Sequence, residues 1–411
     1  LRVRIRTTSP PSVLLAVALL AAGCASGDPT RPTPGPAASA APHGYVEGAT
    51  EAAEQQSRLL LGDPRTGETR VLDLTTGKTH GTARRTGVTG LTTDGRFGYF
   101  HSPQGTHVLD GGTWTVDHGD HVHYYRATIR DVGELPGGPG THIRGDSGAT
   151  VVTGPGGQAS VYRRADLEQG TIGRSAGLPG TYAGPVVPDG ERLIALTRDG
   201  GGPARAVVLD RDGKRVAVTQ GTCEDPRGDA VTRRGVVFGC ADGALLVTDT
   251  DGGYTAVRIP YGDDVPEGER ATAFRHRPGG TVLTAPAGKN AVWVLDVTGR
   301  AWTRVGTGPV VAANTAGEGA PLLVLQADGA LHGYDIATGK ETAVTAPLVN
   351  RVPQATAGRN PAPVIEVDRS RAYLNDPQGK RVYEIDYNDG LRVARTLELD
   401  IRPSLMAETG R

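Results

Sequence analysis

The chain has 411 residues, 44 of them basic and 45 acidic, for a formal net charge of −1 with the two signs well mixed. Without a basic patch or stripe, nucleic acid is excluded as a partner class. Once the first forty or so residues are set aside, the remaining body of about 360 residues is too long for a single hydrophobic core unless the architecture is repetitive.

The front end reads as targeting sequence. Arg2, Arg4 and Arg6 precede a short apolar run, Val13 to Ala22, that ends in Ala21-Ala22-Gly23-Cys24. This is a secretory signal over residues 1–23, and a Cys after small residues is similar to a bacterial lipobox, so cleavage before Cys24 and lipidation of Cys24 are expected. The run is about half the roughly 20 residues that a spanning helix needs, and no other uncharged run is comparable. Contact with a membrane is therefore expected through the lipid alone. Residues 24–45 are mostly Ala, Pro, Gly, Ser and Thr, which bury too little to order themselves and read as a flexible tether.

From residue 46 to 411 one pattern recurs. A short apolar strand, a Gly-rich turn, and a second strand that most often ends in Asp form each copy. The copies run Leu59–Leu74, Gly98–Asp110, Val151–Tyr162, Leu193–Asp210, Val236–Asp249, Val282–Asp296, Leu322–Asp335 and Ala372–Asp386. Asp-Gly and Gly-Gly between apolar runs are hairpin signals. Flanking strands, such as Leu91-Thr92-Thr93 before the second copy, raise the count to four per unit. Four strands about every 45 residues is the arithmetic of a β-propeller blade. Eight copies predict an all-β propeller of eight blades, or seven if one copy is an elaborated loop. Two β-sandwich domains would not explain one spacing repeated throughout. The first copy lacks an evident innermost strand, and Val393 to Ile401 is expected to supply an outer strand and then close the ring.

Chemistry concentrates between Val116 and Arg126, V-D-H-G-D-H-V-H-Y-Y-R. His121 and His123, at i and i+2 on a strand, share a face. With His118, Asp117 and Asp120 around a tight turn at Gly119, this makes five potential ligands in seven residues, suited to Zn²⁺. An exposed His-rich strand end without metal is the competing reading. His142 and His276, each near an inner strand that would line the channel, are further candidates. Tyr124 and Tyr125 serve either as donors orienting a ligand or as strand packing. Acidic pairs such as Glu224-Asp225 read as solvated loop charge, no G-x-S-x-G elbow is present, and no catalytic group is assigned: the chain is not expected to be an enzyme. Cys223 and Cys240 are simplest as a disulfide in an exported protein, closing a loop worth on the order of 3 kcal/mol in the chain-entropy model; paired metal thiolates are the alternative.

Four segments carry a family resemblance. His43–Glu54 (H-G-Y-V-E-G-A-T-E-A-A-E), Leu91–Phe97 (L-T-T-D-G-R-F), His118–Arg126 (H-G-D-H-V-H-Y-Y-R) and Phe238–Gly243 (F-G-C-A-D-G) resemble the AztD family of extracytoplasmic β-propeller zinc metallochaperones. The resemblance implies zinc held by His118, His121 and His123, completed by residues from other blades, and delivery to the solute-binding protein of a zinc ABC importer. The expected setting is the outer face of a bacterial cell membrane, with a lipid anchor and a monomeric chain. A rival reading from another class is a scaffold or ligand-binding propeller whose His cluster is incidental.

Overall fold

The computed structural model describes residues 44–118, 121–250, 253–350 and 363–411. The signal, nearly all of the tether, Cys24 and Asp120 lie outside them. The only α-helix among the described residues is the single turn Arg164–Glu168, and none is long and apolar enough to cross a membrane.

The chain is a β-propeller. Among the described residues, eight antiparallel sheets follow one another, seven of four strands and one of three, and each contains one of the repeated copies. We number these blades 1–8 along the chain. The central strands are apolar on consecutive residues rather than alternately, because a blade is covered on both faces by its neighbours. Arg58–Asp63 and Leu322–Gln326 are buried along their whole length. The cores sit between blades, as where Val187, Ile194 and Leu196 of blade 4 meet Val236 and Phe238 of blade 5.

Innermost strands touch in series: Leu405–Thr409 contacts Gly90–Thr93 on one side and Ile365–Val367 on the other. Blade 1 takes Leu405–Thr409 as its innermost strand, with Leu59 opposite Glu408 and Leu61 opposite Met406. The ring is thus closed by the C-terminal segment. The expected outer strand is found at Arg392–Glu398, but closure comes later than Val393–Ile401, after a turn that contains Pro403. Blade 6 is the three-stranded one; its inner edge is marked by a single bridge between Arg275 and Thr284.

Several aspartates that end the third strands share a local role. Asp73, Asp296 and Asp335 each accept a backbone N–H from the turn that follows, from Thr76, Gly299 and Thr338 at 2.9, 2.9 and 2.7 Å. These are Asx-type turns, in which a short carboxylate satisfies a backbone donor that the reversal leaves unpaired.

Blade 2 departs from the pattern at this point. Its third strand, Thr106–Asp110, is followed not by the fourth strand but by an inserted hairpin, Thr113–Asp117 and Val122–Arg126. The fourth strand, Arg130–Leu135, only then returns to pair with Thr106–Asp110. The hairpin carries a third strand, Thr50–Ala52, and makes a small sheet of its own.

Candidate metal centre

The register of the inserted hairpin places its histidines. Trp114 lies opposite Tyr125, Val116 opposite His123, and Asp117 opposite Val122. The His118 N–H donates to the His121 carbonyl at 3.0 Å, so these two are the next pair toward the tip. Opposed residues share a face and successive ones alternate. One face therefore reads Trp114, Val116, His118 along one strand and Tyr125, His123, His121 along the other.

The base of this face is apolar and held fast. Trp114 and Tyr125 stack with ring centroids 5.3 Å apart and are buried. The Trp114 Nε1–H donates to the Gly44 carbonyl at 3.1 Å, and Thr115 Oγ1 donates to the Gly410 carbonyl at 2.9 Å. Arg96 lies over the indole at 3.7 Å and is paired with Asp110 at 2.9 Å. Asp110 also accepts the Gly112 N–H at 2.9 Å. Gly112 has φ +69°, and a Cβ there would stand 2.6 Å from the Ala127 carbonyl oxygen. Only glycine fits this crossing without strain.

The tip is solvated. His118 and His121 are exposed and His123 is half-buried. One ring nitrogen from each lies within 4.8 Å of the others, and no other group of three or more His, Cys, Asp or Glu side chains among the described residues is so arranged. Ring centroids are separated by 4.8 to 5.4 Å. A tetrahedral zinc with Zn–N bonds of about 2.0–2.1 Å asks for nitrogens about 3.3 Å apart. Two exposed imidazoles on a hairpin tip can close that difference by side-chain rotation, without moving strands. The donor set of three imidazoles fits zinc, and copper or nickel by the same ligand type.

One partner of the cluster was not singled out from the sequence. The His123 Nδ1–H donates to Glu51 Oε1 at 2.7 Å, from the three-residue strand that pairs Glu51 with Tyr125. The acidic spacing of Glu47, Glu51 and Glu54 was visible, but nothing in it says that this segment crosses to a hairpin about seventy residues away.

The other candidates are placed elsewhere. His142 is the first residue of the innermost strand of blade 3, whereas the inserted hairpin leaves blade 2 where a third strand ends. Innermost and third strands run the same way, so the two lie toward opposite ends of the propeller. His276 sits beside the Arg275 bridge at the inner edge of blade 6, its Nε2–H donating to the Val231 carbonyl at 2.9 Å. Burial, then the charges of Arg411, Arg144 and Arg275, overcome that hydrogen bond and hold its pKa down at about 4. Burial and Arg144 likewise lower His142. Neither joins the tip cluster. Tyr125 is stacked beneath His123 at 6.2 Å, and the phenol is pushed up by burial and by Glu51. Cys223 and Cys240 form a disulfide, with sulfurs 2.00 Å apart.

Similar solved structures share this architecture. The crystal structure of Citrobacter koseri AztD superposes with a TM-score of 0.69 at 18% identity, over 87% of this chain and 98% of that one. The apo AztD structure from the same organism gives 0.70 at 18% identity, over 86% and 98%. A computationally designed protein, Ika8, gives 0.50 at 15% identity, over 84% and 98%. The chain has an AztD-like fold. No protein-family profile matches it, and no curated protein sequence is significantly similar.

Proposed function

We propose that the protein is an extracytoplasmic zinc-binding metallochaperone. Its cargo is held by His118, His121 and His123 and handed to the solute-binding protein of a zinc ABC importer. The observation that carries this is the convergence of three imidazoles at the tip of a hairpin inserted into a propeller with the AztD-like fold. A resident structural zinc is normally closed off by four protein ligands, whereas three ligands leave a position open. At an exposed tip that position is reachable by an incoming ligand of another protein, which a hand-off needs and a buried site would deny. Asp120 is our candidate for an exchangeable fourth ligand that gives way to the incoming one. The disulfide supports an oxidising, exported setting, and we assign the chain to the outer face of the cell membrane, anchored through Cys24.

The test is zinc content and competitive zinc titration of the full chain, with His121→Ala/His123→Ala alongside. We expect one tightly bound zinc per wild-type chain and none in the variant at equal folded content. Zinc binding that ignores both histidines would reject the assignment and leave a propeller whose His cluster is incidental.

A further inference from the structure

The strand Thr50–Ala52 belongs to no blade and buries little: Thr50 and Glu51 are exposed. It is nonetheless fixed in register on the histidine hairpin, Thr50 opposite Arg126 and Glu51 opposite Tyr125. Just before it, Gly44 presses on Val116 of the histidine face so closely that a Cβ would come within 2.4 Å of Val116 Cγ2. What this short strand adds to the hairpin is a carboxylate. Glu51 Oε1 accepts the His123 Nδ1–H at 2.7 Å while its side chain stays 47% exposed, so the contact is not an incidental of core packing.

We propose that Glu51 is the positioning residue of the metal site, acting through His123. This inference rests on the zinc reading above. A carboxylate only accepts, so the contact puts the imidazole proton on Nδ1 and leaves the Nε2 lone pair as the ligand. Tyr125 stacks beneath the ring, and His118 and His121 lie around it at 5.4 and 4.9 Å between centroids. With Nδ1 tethered to Glu51, Nε2 is the nitrogen left to share a metal with the other two imidazoles. The carboxylate also makes the imidazole a better donor, and loss of such partners typically weakens metal binding 10–100-fold. His123, held by Glu51, is the ligand that this strand sets in advance.

Two readouts on the full chain test this. Long-range ¹H–¹⁵N correlation of imidazoles in metal-free protein reports the tautomer directly. His123 is expected as the Nδ1–H form in wild type and as an Nε2–H-dominated mixture in Glu51→Ala. Competitive zinc titration is expected to weaken about 10–100-fold in Glu51→Ala and by less in Glu51→Gln, which keeps an acceptor oxygen without the charge, with thermal unfolding unchanged. An unaltered tautomer and affinity in Glu51→Ala would overturn the proposal. So would complete loss of zinc in both variants, since that marks Glu51 as a ligand. If instead wild-type zinc affinity proves indifferent to His121→Ala/His123→Ala, it is the zinc reading that fails, and the metal-free tautomer still reports separately whether Glu51 sets the ring.

Discussion

At the scale of single residues, two histidines and one carboxyl are shifted far enough to shape the response to pH. His276 and His101 are both held down at about 4, chiefly by burial. For His101 the charges of Arg144 and His142 add to it. Folding therefore favours the neutral rings. In the unfolded chain the same groups protonate near 6.5, so between about pH 6.5 and 4 the unfolded state binds more protons. Their stabilising contribution is complete above pH 6.5 and is lost as pH falls. Glu408, fully buried beside Arg411, works in the opposite direction. Burial raises its carboxyl to about 7, so its contribution declines as pH rises from about 4.5 to 7. Two histidines against one carboxyl leave a net loss on acidification. Thermal unfolding at pH 7 and at pH 4.5 is expected to give a lower Tm in acid, and His101→Asn/His276→Gln is expected to narrow that gap. An equal gap in the double variant would show that neither ring governs the acid limb.

At the scale of elements, the histidine hairpin is an insertion with a buried carboxylate at its base. Asp110 is fully buried, pairs with Arg96, and satisfies the Gly112 N–H at the hairpin's base. Arg96 in turn covers Trp114 and reaches Glu168 beside blade 3 at 3.2 Å. Removing one partner of a buried pair costs about 3–5 kcal/mol, toward the lower end where the other charge keeps a second partner, as Arg96 keeps Glu168. We expect Asp110→Ala to lose about that much in urea unfolding, and its zinc affinity to fall because the tip loses its foundation. A loss below about 1 kcal/mol would mean that Arg96 finds water in place of the carboxylate. Asp110 also shows what could be read from the sequence. The recurrence of Asp after the third strand was visible, and its turn-capping role follows from side-chain chemistry alone. The same spacing made His121 and His123 neighbours on one face. That the hairpin interrupts blade 2 was hidden, because a run of strand, turn and strand reads alike inside a blade or between its strands. Glu51 was hidden for a related reason: a three-residue strand carries too little pattern to name its partner, and the pairing is made across 72 positions of sequence.

At the scale of the molecule, eight sheets that each cover their neighbours make stability a property of the closed ring. Legibility followed the same division, since apolar runs repeated in series announce blades, whereas the closing strand is a single short segment with no copy of its own. That segment joins the two ends of the described fold. Met406 is buried among Leu59, Leu61, Leu72 and Tyr373, opposite Leu61 in the register, so it fills the space between blade 8 and blade 1. A charge placed there sits at a buried position with apolar neighbours. Met406→Asp is expected to cost about 3 kcal/mol or more. Val216→Asp is the matched control, on the outer strand of blade 4 where Val216 is 45% exposed, and is expected to stay within about 0.5 kcal/mol of wild type. Urea unfolding of the two compares a site of closure with a site of mere edge. If the ring acts as one unit, Met406→Asp shifts a single transition seen equally by Trp114 fluorescence, read in a Trp293→Phe/Trp302→Phe background, and by far-ultraviolet circular dichroism of all blades. Two separated transitions would instead mean that blade 1 opens locally. The propeller would then be a chain of sheets joined at a weak seam, and the hairpin beside that seam would be the part of the molecule that moves first.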